Sequence, residues 1–423
     1  MSLHLRLRLP LLWLILCLVM AFILPGQVWL TLIVGIGGLF AAATLWSRSL
    51  AKQLRGERSL RYGWVSVGDR LSEQFTLHNG SQLPALWVEL LDQSNMPGYQ
   101  VGVVRSVPAA ATDTWKQSAI CTRRGQYHLG PWTLHTSDPF GLFLVKIHYP
   151  QQTEIIINPP MHSNLPVQLP AGESSGRERS RQRAWQATVN AATVREYQPH
   201  DPLRWMHWKA TARRGELMVR QFDLDVTGDI WLLPDMDRAA QLGEELNGTE
   251  EHLVILAASL AGQALRLNRK VGVATYGLRP QLIPPATGQG QQWHILRSLA
   301  IAHADGNVPL SLALHDLTRV IRRGAALLVL TSTAQTEWLS ALLPLAQKGV
   351  QTQVILLDRL SFAGTERSEG LRDAVRQLGF PCDLLQRGEL GDAAASEAQH
   401  GFWEFKVTGT GKVITVHSPL TSG

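Results

Sequence analysis

Two uncharged apolar runs lie almost back to back near the start of the chain. One, LPLLWLILCLVMAFIL, covers residues 9–24; the other, VWLTLIVGIGGLFAAATLW, covers residues 28–46. A bilayer-spanning helix needs about 20 apolar residues. The second run meets that length, and the first meets it once extended to Leu7. Pro25 and Gly26 between them mark a turn, so residues 1–48 are expected to form a transmembrane helical hairpin. Arg6 and Arg8 precede the first run. Arg48, Lys52, Arg55, Arg58 and Arg61 follow the second, and the turn carries no cation. Cations at both outer ends place both ends in the cytoplasm. The competing reading is a secretory signal peptide with Arg6 and Arg8 as its charged region. A second full apolar run following at once argues against it.

The remainder is too long for one ordinary domain, since the chain has 423 residues. A net charge of +6 suits a membrane-associated protein and a nucleic-acid binder equally. Cys17, Cys121 and Cys382 are far apart, with neither a disulfide framework nor a metal-ligand spacing, which favours a reducing compartment. Residues 57–160 show short alternating runs broken by Gly, Pro and Asn, the pattern of a small β-sandwich. Residues 161–192 read as a linker, with QLPAGESSGRERSRQRAWQ polar and basic. From Asp229 onward, strand-like runs such as DIWLLP, VGVAT, AALLVL and VQTQVILL alternate with helical ones. Repeated βα units imply an α/β domain with a mostly parallel sheet and helices on both faces, within residues 193–385. Residues 386–423 form a tail in which FWEFKVTGTGKVITVHS reads as a β-hairpin.

Between sandwich and sheet lies VREYQPHDPLRWMHWKATARRGELMVRQFD, residues 194–223, with six Lys/Arg, two Trp and two His. Asp201 followed by Pro202 suits a helix start, and Gly215 a helix stop. A helix over residues 202–214 would put Trp208 on a broad apolar face that must be buried. Arg204, Lys209 and Arg213 would gather at three- or four-residue spacing.

This segment resembles the signature of the bacterial domain of unknown function 58 family. RRGQYHLGP and SDPFGLF upstream resemble it too, as does the order of hairpin, sandwich, signature and a sheet domain similar to von Willebrand factor A. The resemblance implies that architecture, residence in the bacterial inner membrane as a multi-pass protein, and a MoxR-type AAA ATPase as partner. It implies no reaction. The signature residues Arg195, Glu196, Tyr197, Asp201, Arg204, Trp208, Lys209, Arg213 and Glu216 then read either as a clasp between domains or as a docking face.

Other chemistries fit less well. Arg and Trp interleave as stacking platforms do, but Glu196, Asp201, Glu216, Asp223 and Asp225 dilute the field that phosphates need. No nucleic-acid partner is expected. His200 and His207 lack further ligands of the kind a metal site requires. In the von Willebrand A fold the cation site is Asp-x-Ser-x-Ser with a later Thr and Asp. Here the stretch is DMDRA, so Asp235 and Asp237 supply oxygens while Ala239 cannot. Magnesium is therefore expected at most at a degenerate site, and no other cofactor is expected. GTGK at residues 409–412 lacks the remaining phosphate-loop residues. The chain thus reads as a membrane-anchored cytoplasmic adaptor, not an enzyme. The rivals are a hydrolase-like enzyme whose site is assembled from distant residues, and a divalent-cation-dependent binding protein.

Overall fold

The computed structural model describes residues 2–6, 9–61, 65–99, 102–170, 191–197, 206–222, 228–243, 245–390, 404–407 and 413–417. The chain opens with a short strand, β1 (Ser2–Leu5), then α1 (Leu9–Ile23) and α2 (Gln27–Gln53). Among the described residues, α2 is the one helix both long and apolar enough to cross a membrane; α1 is shorter. The outward side chains Val28, Leu30, Leu32 and Val34 are exposed and apolar. The far end of α2 behaves differently. Ala43, Ser47, Leu50 and Ala51 are buried, Trp46 Nε1 donates to the Pro84 carbonyl at 3.2 Å, and the Phe40 and Phe143 rings meet edge to face. This end of the apolar run docks on the β region, and the helix passes without a linker into the next strand.

That region contains β2 (Leu54–Arg61), β3 (Val65–Ser66), β4 (Arg70–Asn79), β5 (Ala85–Asp92), β6 (Gly102–Val107), β7 (Ala111–Ile120), β8 (Gly125–Leu129), β9 (Trp132–Ser137), β10 (Phe143–Tyr149) and β11 (Thr153–Asn158). They form three sheets, ordered β1-β10-β9-β5-β6, β2-β4-β7 and β3-β11-β8. Inward residues of all three share one core, including Phe75, Leu77, Val88, Leu90, Trp132, Leu134, Ile155 and Ile157. Along β4 every second residue is buried, as a strand with one core-facing side requires. Glu73 falls on that inward side. Arg58 of β2 satisfies it, with Nε 2.5 Å from Glu73 Oε2 and Nη2 3.0 Å from Asp92 Oδ2. Arg58 is therefore an internal counter-ion and not one of the free cations beside the membrane. An unpaired carboxylate inside a β core would carry a large desolvation cost.

Residues 161–170, expected to belong to the linker, instead lie against the next domain. Val167 is buried in that domain's core, and Met161, Leu165 and Leu169 pack on it. The His162 amide donates to Ser259 Oγ at 2.9 Å. The rest of the expected linker is mostly outside the described residues. The described chain resumes with β12 (Ala191–Glu196), α3 (Trp208–Arg214) and β13 (Met218–Phe222), in which β12 and β13 pair as an antiparallel ribbon.

The second core surrounds β14 (Ile230–Pro234), β15 (Val271–Thr275), β16 (Gln281–Ala286), β17 (Ala326–Thr331), β18 (Gln351–Leu357) and β19 (Cys382–Leu385), in the order β16-β15-β14-β17-β18-β19. Within this sheet β16 is antiparallel and the other pairings are parallel. Among the described residues antiparallel pairings predominate. β14 is buried on both faces, which explains its unbroken apolar run. Ile230 and Leu232 face α4 (Thr249–Arg266) and α5 (Gln289–Ile301). Trp231 and Leu233 face α6 (Leu310–Val320), α7 (Leu342–Gln347) and α8 (Glu369–Gln377). The tail contributes the antiparallel pair β20 (Glu404–Val407) and β21 (Val413–His417).

Candidate functional site

From β14 the chain moves to β15 on one side; from β17 it moves to β18 on the other. Where such connections diverge, the loops at the strand ends part and leave a crevice outside the carboxyl edge of the sheet. Asp235 follows β14 there, and Thr331 ends β17. Asp235 is only 3% exposed. Its Oδ2 accepts from Thr331 Oγ1 at 2.6 Å and its Oδ1 from the Asp237 amide at 3.1 Å. Burial pushes the carboxyl up to about 6, against the pull of those two donors, and the nearby Asp237 charge adds to the rise.

The loop after Asp235 is held by side chains. Asp237 Oδ1 accepts from the Ala239 amide at 3.1 Å, capping a single 3-10 turn. Gln241 Nε2 donates to the Asp235 carbonyl at 2.8 Å. Thr249 Oγ1, at the start of α4, donates to Gln241 Oε1 at 2.8 Å. Ser332 Oγ donates to the Ala240 carbonyl at 2.9 Å. Arg359 Nη1 donates to the Ser332 carbonyl at 2.6 Å and the Ala240 carbonyl at 3.2 Å. Gln241, Thr249 and Arg359 carried no sequence signal: the first two act within eight residues but in no recognised spacing, and Arg359 reaches Ala240 across 119 residues.

Asp235 and Asp237 do meet at one strand end, as their spacing suggests. The surroundings leave few free oxygens for a magnesium ion. Both oxygens of Asp235 already accept internal bonds, Ala239 offers only its amide, and Arg359 occupies the neighbouring carbonyls. Hard divalent cations need several free oxygens around an open point.

The signature segment is arranged differently from its expected helix. Its described helix starts at Trp208, with His207 as the cap: the ring Nδ1 accepts from the Ala210 amide at 3.0 Å. Gly215, at φ 75°, ends it. The N-cap expected at Asp201, like Arg204, lies outside the described residues. Met206 forms a bridge to Val219, and Met206, Met218 and Val219 are the buried residues. Trp208 is 68% exposed, which overturns its expected burial. The apolar stripe drawn on a longer helix does not apply, because Met206 supplies the inward contact from extended backbone. Lys209, Arg213 and Glu216 are also exposed. Arg195 and Glu196 sit in β12 opposite Val219 and Met218. The Tyr197 amide donates to the Leu217 carbonyl at 2.8 Å. Trp208, Lys209 and Arg213 thus stand exposed together on one short helix and do not clasp the two cores.

A buried contact between the two cores comes from elsewhere. Arg124, in the upstream RRGQYHLGP stretch, has a side chain only 1% exposed. Its Nη2 lies 2.9 Å from Glu250 Oε1, and its Nη1 2.6 Å from Glu251 Oε2, both in the first turn of α4. It also donates to the Ala302 carbonyl at 2.7 Å. Burial alone would raise the Glu250 carboxyl, but His303 and Arg124 outweigh it and hold the group below its ordinary value. Burial wins at Glu251, which is raised.

Comparison with known proteins places this arrangement among relatives. The family described as "Protein of unknown function DUF58" matches residues 193–361. The "Uncharacterized protein YeaD" of Bacillus subtilis is 25% identical over 268 residues, 62% of this chain and 65% of that protein. The "Uncharacterized protein Rv1480" of Mycobacterium tuberculosis is 29% identical over 171 residues, 39% of this chain and 53% of that one. The chain thus spans about half to two thirds of the length of these relatives. Among solved structures, proximal thread matrix protein 1 from the mussel byssus aligns at 13% identity and a TM-score of 0.30, over 40% of this chain and 46% of that one. That likeness is too slight to bear on the fold. Over residues 193–361 the chain is thus similar to the DUF58 family, and over a longer stretch to the Bacillus protein.

Proposed function

We propose that this chain is a membrane-anchored cytoplasmic adaptor. Its sheet domain, which we read as von Willebrand factor A-like, faces protein partners, with a MoxR-type AAA ATPase among them. Both helices of the N-terminal pair cross the bacterial inner membrane as a hairpin, and the soluble parts lie on the cytoplasmic side. The observation that carries the reading is the Arg124 clasp: it joins the sandwich, into which α2 runs directly, to the first turn of α4. A domain fixed to its anchor in this way holds its loops at a set height and angle above the bilayer. The exposed Trp208, Lys209 and Arg213 supply an aromatic anchor and cations of the kind that dominate docking surfaces. Affinity capture of the intact membrane form, with and without ATP, tests this. An ATPase of that class should co-purify in a nucleotide-dependent manner. Its absence in both conditions would remove the adaptor reading.

A further inference from the structure

A cavity of about 380 Å³ opens at the seam between the two cores. Its walls come from the end of β15, the turn into β16, the residues after α5, and Gln126 of β8. It is preformed by close backbone packing. A Cβ on Gly277 would stand 2.6 Å from the His303 carbonyl oxygen and 2.9 Å from Asp305 Oδ1. The turn and the 303–306 loop can approach this closely only with glycine there. Thr275 lines the cavity and is 2% exposed.

The remaining polar lining is of mixed sign. Arg279 offers a guanidinium, Asp305 a carboxylate, Gln126 and Gln281 two neutral amides, and His303 an imidazole whose Nδ1 lies 3.1 Å from Glu250 Oε1. Asp305 uses Oδ1 to accept from the Leu278 amide at 2.9 Å, which orients the carboxylate. A ligand with only negative charge would meet Asp305, and one with only positive charge would meet Arg279. Leu278 and Ile301 add a small apolar surface. The volume falls at the lower end of the range for small-molecule sites.

We propose that this seam cavity binds a zwitterion of amino-acid or dipeptide size. Its carboxylate faces Arg279, its ammonium faces Asp305, and its amide or hydroxyl groups meet Gln126 and Gln281. The site adjoins the Asp235 crevice. Gly306, next to Asp305, bridges to Asp237, and its carbonyl accepts from the Arg238 amide at 3.0 Å. It also adjoins the clasp, because His303 Nδ1 lies 3.1 Å from Glu250 Oε1 and Ala302 accepts from Arg124. Occupancy would therefore brace the loop that both places share. This inference does not depend on the adaptor reading.

The test is isothermal titration of the full-length protein in detergent with L-alanine, L-alanyl-L-alanine, and two blocked dipeptides, one N-acetylated and one C-amidated. Saturable binding of alanine or the free dipeptide is expected, weakened about tenfold or more by either block. Arg279→Gln should abolish discrimination against the amide but retain it against the acetyl form. Asp305→Asn should do the reverse. Thermal melts of each variant establish that it is folded, and if either fails to fold, the wild-type preference among the four probes decides. No saturable binding of either free probe at about 10 mM overturns the proposal. So does a blocked dipeptide that binds as tightly as the free one, which would indicate a protein chain end as the occupant.

Discussion

Thr331 Oγ1 stands 2.6 Å from Asp235 Oδ2, joining two strand ends that are neighbours in the sheet and 96 residues apart in the chain. The bond closes the crevice between β14 and β17 at its base. It also explains how a carboxyl so deeply buried keeps its place, and it sets up the first prediction.

Asp235 is raised from its ordinary 3.8 to about 6 in the folded chain. The folded state therefore holds the proton more tightly than the unfolded state. Below about pH 4 the group is protonated in both states. As pH rises from about 4 to about 6 the fold loses stability, on the order of 2–3 kcal/mol in full, and the loss persists above that window. Asp235→Asn removes the ionisable group and can still accept from the Asp237 amide. The variant should melt higher than wild type near neutral pH, and the difference should vanish at about pH 4. An equal difference at both pH values would contradict the buried, proton-holding carboxyl.

Magnesium should leave the melting temperature unchanged. Any ion that bound the folded state alone would raise it by mass action, by about 2.7 kcal/mol of stability at a hundredfold excess over Kd. Asp235 has both oxygens engaged and Ala239 has none to offer in its side chain. A rise with added magnesium that Asp235→Ala abolishes would reveal a working cation site.

Arg124→Met should be strongly destabilising. It leaves Glu250 and Glu251 facing each other without their shared counter-ion, and the Ala302 carbonyl loses its donor. Removing one partner of a buried ion pair costs ~3–5 kcal/mol; with Glu250 and Glu251 partly exposed, about 2–4 kcal/mol is expected here. Denaturant unfolding in detergent measures it. A wild-type midpoint would show that the clasp contributes nothing to holding the cores together.

Trp208→Ala should leave the fold intact, with a stability change within about 0.5 kcal/mol. The indole is mostly in solvent, so there is little burial to lose. Arg213→Ala should behave likewise. Under the adaptor reading both should weaken ATPase capture. Normal melting combined with normal capture in both variants would remove the docking role of α3.

The strand β1 pairs with β10, Ser2 opposite Lys146. Two strands of one sheet must lie on one side of the bilayer, so Ser2 and the sandwich share a compartment. Under the proposed membrane-hairpin reading, single-cysteine labelling at Ser2→Cys and Ser118→Cys with a membrane-impermeant maleimide should mark both from the cytoplasmic side of vesicles. Labelling from opposite sides would break the hairpin topology.

Local pattern made much of this protein legible. Uncharged runs at residues 9–24 and 28–46 foretold α1 and α2. The alternation of short apolar runs with amphipathic stretches foretold the order of elements from β14 to β19. Asp235 was visible at a strand end, and Gly215 at a helix end. These are properties of neighbours within a few residues, where period and chain stereochemistry act directly.

What tertiary structure decided involves partners far apart. Arg58 looked like a membrane-flanking cation until Glu73, on the inward face of β4, claimed it. Trp208 looked like a core residue until Met206 took the inward position from outside the helix. Arg124 reaches Glu250 across 126 residues, and the seam cavity takes Gln126 from β8 as one wall while the rest of its lining comes from the sheet domain. A sequence period states which side of an element is apolar. It does not state what that side will meet, because the meeting is settled by how two cores pack and by which buried charge must find its opposite.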